Sequence, residues 1–98
     1  MKTTILTDNC AAGGLDCEWG FSALIEANNV KILLDAGASG LFAQNARELG
    51  IDLADVDYCV LSHAHFDHAD GFPTFFEIND HAPLLVQDAC EEILEWLY

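Results

Sequence analysis

Hydrophobic and polar residues alternate along this chain in short blocks that predict strands first and helices later. Two largely apolar runs, Phe21–Glu26 and Val30–Asp35, flank the pair Asn28–Asn29. Asparagine tolerates left-handed backbone angles, so this pair predicts a two-residue turn between two antiparallel strands. An earlier stretch, Lys2–Asp8, predicts a first strand.

The hydrophobic period changes after the hairpin and becomes helical. Ser39 can cap a helix in which Phe42, Ala46 and Leu49 share one face, and Gly50 can end it. We therefore predict a helix between residues 39 and 50 that packs on the strands through this face.

The second half of the chain repeats the order of strand and helix. The uniformly apolar run Tyr58–Leu61 predicts a strand covered on both faces. A helix with Pro73 in its first turn follows, then strand Leu84–Val86 and a last helix capped by Asp88 and Glu91. Strands that alternate with helices predict an α/β layered sheet, with residues 1–98 as a single domain.

Composition narrows the function before any motif is considered. The chain has 98 residues, 52% of them hydrophobic, which indicates one folded domain and excludes intrinsic disorder. Seventeen acidic residues against three basic ones give a net charge of −14, which argues against nucleic acid or an anionic membrane surface as a partner. No apolar stretch approaches the roughly 18–20 residues of a membrane span, and no secretory leader is recognisable.

The cysteines indicate the compartment. The chain has four of them and no C-x-x-C pair, so neither a zinc knuckle nor a thioredoxin-like motif is present. We expect a cytoplasmic protein with free thiols, in which Cys59 is buried as a small hydrophobic residue.

Chemistry concentrates in one segment, where His63, His65, Asp67 and His68 lie within six residues. In an extended loop, residues two apart point to the same side, so His63 and His65 can approach one metal ion. Asp67 and His68 diverge and can face a second ion roughly 3.5–4 Å from the first, which is the arrangement of binuclear hydrolases. Mixed nitrogen and oxygen ligands favour zinc, with iron or manganese as alternatives. The competing interpretation is a polar loop that is merely rich in histidine.

The segment Ser62–Gly71, placed after the strand Tyr58–Leu61, resembles the H-x-H-x-D-H signature of the metallo-β-lactamase superfamily. The upstream Ile32–Gly37 is similar to that family's strand ending in Asp-x-Gly. The resemblance implies the N-terminal half of an αββα sandwich, a mixed sheet with flanking helices.

The resemblance also implies roles for individual residues. His63 and His65 would bind the first zinc ion, and Asp67 and His68 the second. Asp67 would also orient the nucleophilic water and take its proton, which makes it the candidate catalytic residue. Asp35 would accept a hydrogen bond that orients a ligand histidine. The alternative for Asp35 is a solvated carboxylate at a turn.

The family's later strands supply three further ligands, and the 98 residues end before them. His81 is the remaining histidine, but it precedes its strand whereas His63 follows one. If the strands are parallel, His81 lies at the opposite end of the sheet and is a turn residue. We therefore expect a truncated domain that binds metal weakly and is nearly inactive alone.

The function expected from these residues is hydrolysis of an ester, amide, thioester or phosphoester bond by a metal-bound hydroxide, on an unknown small-molecule substrate. The alternative is a non-catalytic half-domain that persists by pairing with another chain. Half of a two-sheet sandwich leaves one face of its sheet without a partner, so we expect a homo-oligomer, or a partner chain, to cover that face.

Overall fold

A computed structural model of the chain describes residues 1–8, 20–62 and 66–86, without the side chains of residues 66 and 67. The predicted final helix, with Asp88 and Glu91, lies outside the described residues. The described elements are β1 (Lys2–Thr7), β2 (Ser22–Ala27), β3 (Val30–Leu34), α1 (Leu41–Glu48), a 3-10 helix (Leu53–Asp55), β4 (Tyr58–Leu61), α2 (Phe66–Ala69), α3 (Phe72–Ile78) and β5 (Leu84–Val86).

The described strands form one five-stranded sheet in the order β1-β2-β3-β4-β5. The pairs β1–β2 and β2–β3 are antiparallel, whereas β3–β4 and β4–β5 are parallel. Helices connect the parallel strands, as parallel pairing requires a crossover. The α/β prediction with a mixed sheet is confirmed.

The predicted hairpin joins β2 to β3 through Asn28 and Asn29. Both residues have positive φ angles, 52° and 66°, as a type I′ turn requires. The turn sets the register, in which Ala27 pairs with Val30 and Glu26 with Lys31.

The helix α1 follows the predicted pattern with two corrections. Its N-cap is Gly40, one residue after the predicted Ser39, because the helix begins at Leu41. The Ser39 hydroxyl accepts a hydrogen bond from the N–H of Leu41, and Phe42 and Ala46 are buried. Leu49 was expected on the same face, but it is 45% exposed because it lies beyond the last helical turn and past the core. Gly50, with φ +74°, ends the helix in the left-handed conformation.

The two faces of the sheet differ in burial. On the helical side, the sheet and the helices bury one continuous core, which includes Leu24, Leu33, Phe42, Cys59, Leu61, Phe72 and Phe75. On the other face, Ile5, Tyr58 and Leu85 are exposed by 45%, 44% and 53%. The prediction that Tyr58–Leu61 is covered on both faces is therefore wrong within the described residues, because the described helices pack against the face that carries Cys59 and Leu61.

His81 lies where the parallel pairing places it. Strand β5 starts beside the amino end of β4, since Cys59 pairs with Leu84 and Leu61 with Val86. His81 precedes β5 and therefore lies at the amino edge of these strands, opposite the segment that follows Leu61. The expectation that His81 lies in a turn at the amino end of these parallel strands is confirmed.

Candidate metal centre

The candidate centre begins where two neighbouring parallel strands end. Leu34 of β3 pairs with Val60 of β4, so the residues that follow them emerge at the same carboxyl edge. Asp35 follows β3, and its N–H still donates to the carbonyl of Val60 at 2.9 Å. Its φ angle of 57° then turns the chain out of the strand, a conformation that L-residues rarely adopt. Strained backbone of this kind concentrates at functional sites.

The Asp35 side chain is buried, and both of its oxygens accept hydrogen bonds. The residue is 1% exposed. Its Oδ1 accepts from the Ser62 N–H at 2.7 Å, and its Oδ2 accepts from the Ser62 hydroxyl at 2.6 Å. Oδ2 also lies 2.7 Å from Nδ1 of His68. A carboxylate can be buried when donors surround it in this way, so the alternative of a solvated turn carboxylate is wrong.

The contact with Asp35 defines the state of the His68 ring. A carboxylate only accepts hydrogen bonds, so the hydrogen shared with Asp35 belongs to Nδ1 of the imidazole. In the neutral ring, Nε2 then has the lone pair, which is the form that binds metal ions. The His68 side chain is 18% exposed, and the ring of Phe21 lies against it with 6.2 Å between the centroids. His68 is thus held in one orientation by a carboxylate and an aromatic ring.

Main-chain hydrogen bonds join the two segments that carry these side chains. The N–H of Ala36 donates to the carbonyl of His68 at 2.8 Å. The N–H of Gly71 donates to the carbonyl of Gly37 at 3.1 Å. A Cβ added at Gly71 would lie 1.8 Å from the carbonyl oxygen of Ala36, so only glycine permits this approach. The turn after β3 and the turn after α2 are therefore fixed to each other.

A second serine holds the Asp35 main chain. The hydroxyl of Ser22, on β2, donates to the Asp35 carbonyl at 2.7 Å within the buried interior. Ser22 and Ser62 thus bind different parts of one residue, the main chain and the carboxylate respectively. Neither serine is among the predicted site residues. The sequence signal for Ser62 was its place directly between a predicted strand and the histidine segment.

Of the predicted site residues, the structure brings Asp35 and His68 together. His63, His65 and the side chain of Asp67 lie outside the described residues, although the Asp67 backbone belongs to α2 directly before His68. Within the described part of the chain, no three His, Cys, Asp or Glu side chains form a group that could hold a metal ion. The complete ligand set therefore stays a prediction.

Comparison with known proteins identifies the family. The model of the metallo-β-lactamase superfamily matches residues 17–98, which include the whole candidate centre. The chain belongs to the metallo-β-lactamase superfamily. The resemblance inferred from the Asp-x-Gly and histidine segments is thereby confirmed.

The proteins that are similar to this superfamily member are much longer than it. It is 44% identical over 73 residues to the uncharacterized protein MJ0448 of Methanocaldococcus jannaschii, covering 74% of this chain and 28% of the relative. Tm1679, a metal-dependent hydrolase of the β-lactamase superfamily, is 39% identical with a TM-score of 0.65, covering 74% of this chain and 26% of that one. MEM-A1, a subclass B3 metallo-β-lactamase from a soil metagenome library, is 35% identical with a TM-score of 0.64, covering 76% and 29%.

This superfamily member thus spans less than a third of the length of these relatives. Its described residues form a part of the metallo-β-lactamase fold, and the superfamily is one of metal-dependent hydrolases. Among the helices that the structure describes, none is long and apolar enough to cross a membrane.

Proposed function

We propose that this chain contributes His63, His65, Asp67 and His68 to the metal centre of a hydrolase. The observation that carries the proposal is the buried contact between Asp35 and Nδ1 of His68 at 2.7 Å. A metal-binding histidine usually donates its second N–H to a carboxylate or carbonyl, which fixes the ring and raises its basicity as a ligand. Asp35 supplies that partner from a position that the fold holds with three main-chain and side-chain contacts.

The donor set fits a first-row divalent ion. Imidazole nitrogens with one carboxylate favour zinc, and iron and manganese are the alternatives. In this proposal, His63 and His65 bind one ion, while Asp67 and His68 bind the second. Superfamily membership supports metal binding, and the choice of zinc rests on the ligand chemistry alone.

The residues of the chain would divide the work of hydrolysis. A bound ion of this class lowers the pKa of water and stabilises negative charge on the attacked group. Asp35 keeps the His68 ring in its Nδ1–H tautomer, and Asp67 orients the attacking water and accepts its proton. The bond that is cleaved would belong to an ester, amide, thioester or phosphoester.

Metal content of the purified chain tests the ligand assignment. We expect the wild type to bind zinc and the double variant His63→Ala/His65→Ala to lose the ion of the first site. The matched control is His81→Ala, which also removes an imidazole but at the other edge of the sheet. Unchanged zinc content in the double variant, measured at equilibrium by dialysis against buffered zinc with wild type loaded in parallel, would show that the assignment is wrong.

The exposed face of the sheet favours a second candidate function, a non-catalytic half-domain that pairs with a second copy of itself. The paired positions Ile5, Ala23, Leu34, Val60 and Leu85 form a row across this face without a charged side chain. Ile5 and Leu85 at its two ends are exposed, Leu34 and Val60 are half-buried, and Ala23 is buried. In a chain with net charge −14, such a face lets two copies pack without burying like charges.

Sedimentation separates the two candidates. The pairing proposal expects a dimer at micromolar concentration that Leu85→Glu converts to a monomer and that zinc does not affect. A wild-type monomer under these conditions would contradict pairing. A Glu77→Gln variant, changed at an exposed position of α3 on the other side of the sheet, serves as the control that should leave association unchanged.

A further inference from the structure

We infer that Ser62 is a positioning residue of this centre, because it holds the carboxylate of Asp35 in the orientation that receives His68. The inference rests on the proposed function and deepens it, since it adds a residue that acts on a ligand through another side chain. Ser62 lies between the strand β4 and His63, the first proposed ligand.

The geometry is that of a two-point clamp. One residue donates to both oxygens of one carboxylate, from its N–H to Oδ1 at 2.7 Å and from its hydroxyl to Oδ2 at 2.6 Å. Two such bonds fix the plane of the carboxylate, which a single bond would leave able to rotate. With the plane fixed, Oδ2 lies 2.7 Å from Nδ1 of His68 and accepts its hydrogen.

Burial makes this clamp effective. Asp35 is 1% exposed, so water does not replace a missing donor easily, and hydrogen bonds in such surroundings are stronger than at the surface. Without the hydroxyl, only the Ser62 N–H and the His68 ring remain among these donors. The carboxylate can then turn, and the His68 ring loses the constraint that selects its Nδ1–H tautomer.

Ser22 provides a matched control, because it is a second serine that contacts Asp35. Its hydroxyl also donates one short hydrogen bond to Asp35, at 2.7 Å and in the interior, but to the main-chain carbonyl. Ser22→Ala and Ser62→Ala therefore remove the same group, and only the second change affects the carboxylate. A general loss of stability would appear in both variants, whereas a positioning effect would appear in one.

The test measures the tautomer of His68 without metal and the affinity for zinc separately. Long-range ¹⁵N NMR of the imidazoles reports the tautomer, and the His68→Gln variant identifies the His68 signals. We expect the Nδ1–H form to dominate in wild type and Ser62→Thr, and both tautomers to be populated in Ser62→Ala. Zinc affinity, measured by competition with a chromophoric chelator, should fall about tenfold in Ser62→Ala. Losses of this size are typical when a residue that orients a metal ligand is changed. Ser22→Ala should melt earlier but keep the wild-type tautomer and zinc affinity.

The outcomes separate this inference from the proposed function. A wild-type chain that binds no zinc would overturn the proposed function, whereas the tautomer in the metal-free protein still decides the role of Ser62. A wild-type tautomer and affinity in Ser62→Ala, or equal losses in Ser22→Ala, would overturn the inference. If Ser62→Ala lacks a cooperative unfolding transition, Ser62→Cys decides, because the thiol is a weaker donor and should give an intermediate tautomer ratio.

Discussion

Asp35 and Asn79 are buried polar side chains at opposite ends of the parallel strands, and their partners differ in kind. Each residue is 1% exposed. Asp35 follows β3 at the carboxyl edge, whereas Asn79 follows α3 and precedes β5 at the amino edge. Two of the hydrogen bonds to the Asp35 carboxylate come from side chains, those of Ser62 and His68.

Asn79 bonds to main-chain groups. Its Nδ2 donates to the carbonyls of Leu53 and Val56 at 3.0 and 2.9 Å. Its Oδ1 accepts from the N–H groups of His81 and Ala82 at 3.0 and 2.9 Å. The amide thus joins the 3-10 helix to the segment that enters β5, and these bonds use both its donor and its acceptor atoms.

The difference distinguishes a polar residue that bonds to the main chain from one that bonds to a proposed metal ligand. Asn79 satisfies main-chain groups that would otherwise be buried without partners, so its contribution is to stability. Asp35 acts on an imidazole whose other nitrogen has a lone pair, so its contribution extends to whatever that nitrogen binds. Burial alone does not separate the two residues, but the nature of their partners does.

The largest effect should follow from exchanging acid and amide at the two ends. Asn79→Asp places a carboxylate against the two carbonyls to which Nδ2 donates, and a carboxylate has no hydrogen to donate to them. We expect a loss of about 3–5 kcal/mol in unfolding free energy. Asp35→Asn, its counterpart, should lower zinc affinity about 10–100-fold, because the amide offers a single acceptor oxygen to the donors of Ser62 and His68. Urea unfolding and zinc competition measure the two quantities. A similar loss of zinc affinity in the folded Asn79→Asp variant would contradict the separation of the two ends.

A smaller effect is expected from a methyl group at the carboxyl edge. Gly71→Ala forces the main chain away from the carbonyl of Ala36, at a cost of about 1–3 kcal/mol, and should weaken zinc binding by displacing α2 from Asp35. The control is Gly40→Ala, whose added Cβ would meet only the side chain of Thr74, at 3.4 Å. Equal stability of the two alanine variants in urea would show that the close approach of the two turns is not required.

Cys59 lies on β4, between the amino and carboxyl edges, and allows a test by the pH dependence of stability. Burial raises the pKa of the Cys59 thiol from 9.0 to about 12. The unfolded chain releases this proton near pH 9 and the folded chain does not, so stability falls as pH rises from 9 towards 12. Between pH 7 and pH 10, wild type should lose about 1.4 kcal/mol more than Cys59→Ala, as measured by urea unfolding. An identical pH dependence in both proteins would show that water reaches the thiol within this layer.

Much of the fold could be predicted from sequence because it depends on local chemistry. The Asn28–Asn29 turn, the helix before Gly50 and the apolar strand Tyr58–Leu61 each depend on neighbouring residues. Leu49 could not be placed, since its exposure depends on where the last helical turn ends relative to the core.

The candidate centre was predictable only in part. The spacing around His68 and the Asp-x-Gly turn indicated a metal site and its carboxylate. Ser62 was missed because its role depends on β3 and β4 being neighbours in parallel, a pairing over 26 residues that the local pattern does not contain. Partners that come from different strands require the topology before they can be named.

The smallest effect should be that of His81→Ala, at the amino edge. The His81 side chain is 57% exposed, and its contact with the more exposed Asp80 is 3.9 Å long. Its structural contribution is the hydrogen bond that its main-chain N–H donates to Oδ1 of Asn79, and alanine retains that N–H. We therefore expect the unfolding free energy to change by no more than about 0.5 kcal/mol, and zinc affinity to match wild type. A tenfold loss of zinc affinity would require His81 to reach the carboxyl edge, which the parallel pairing of Cys59 with Leu84 prevents. A null result here, beside the loss expected from His63→Ala/His65→Ala, would show that position at one edge of the sheet, and not the presence of an imidazole, defines the metal centre.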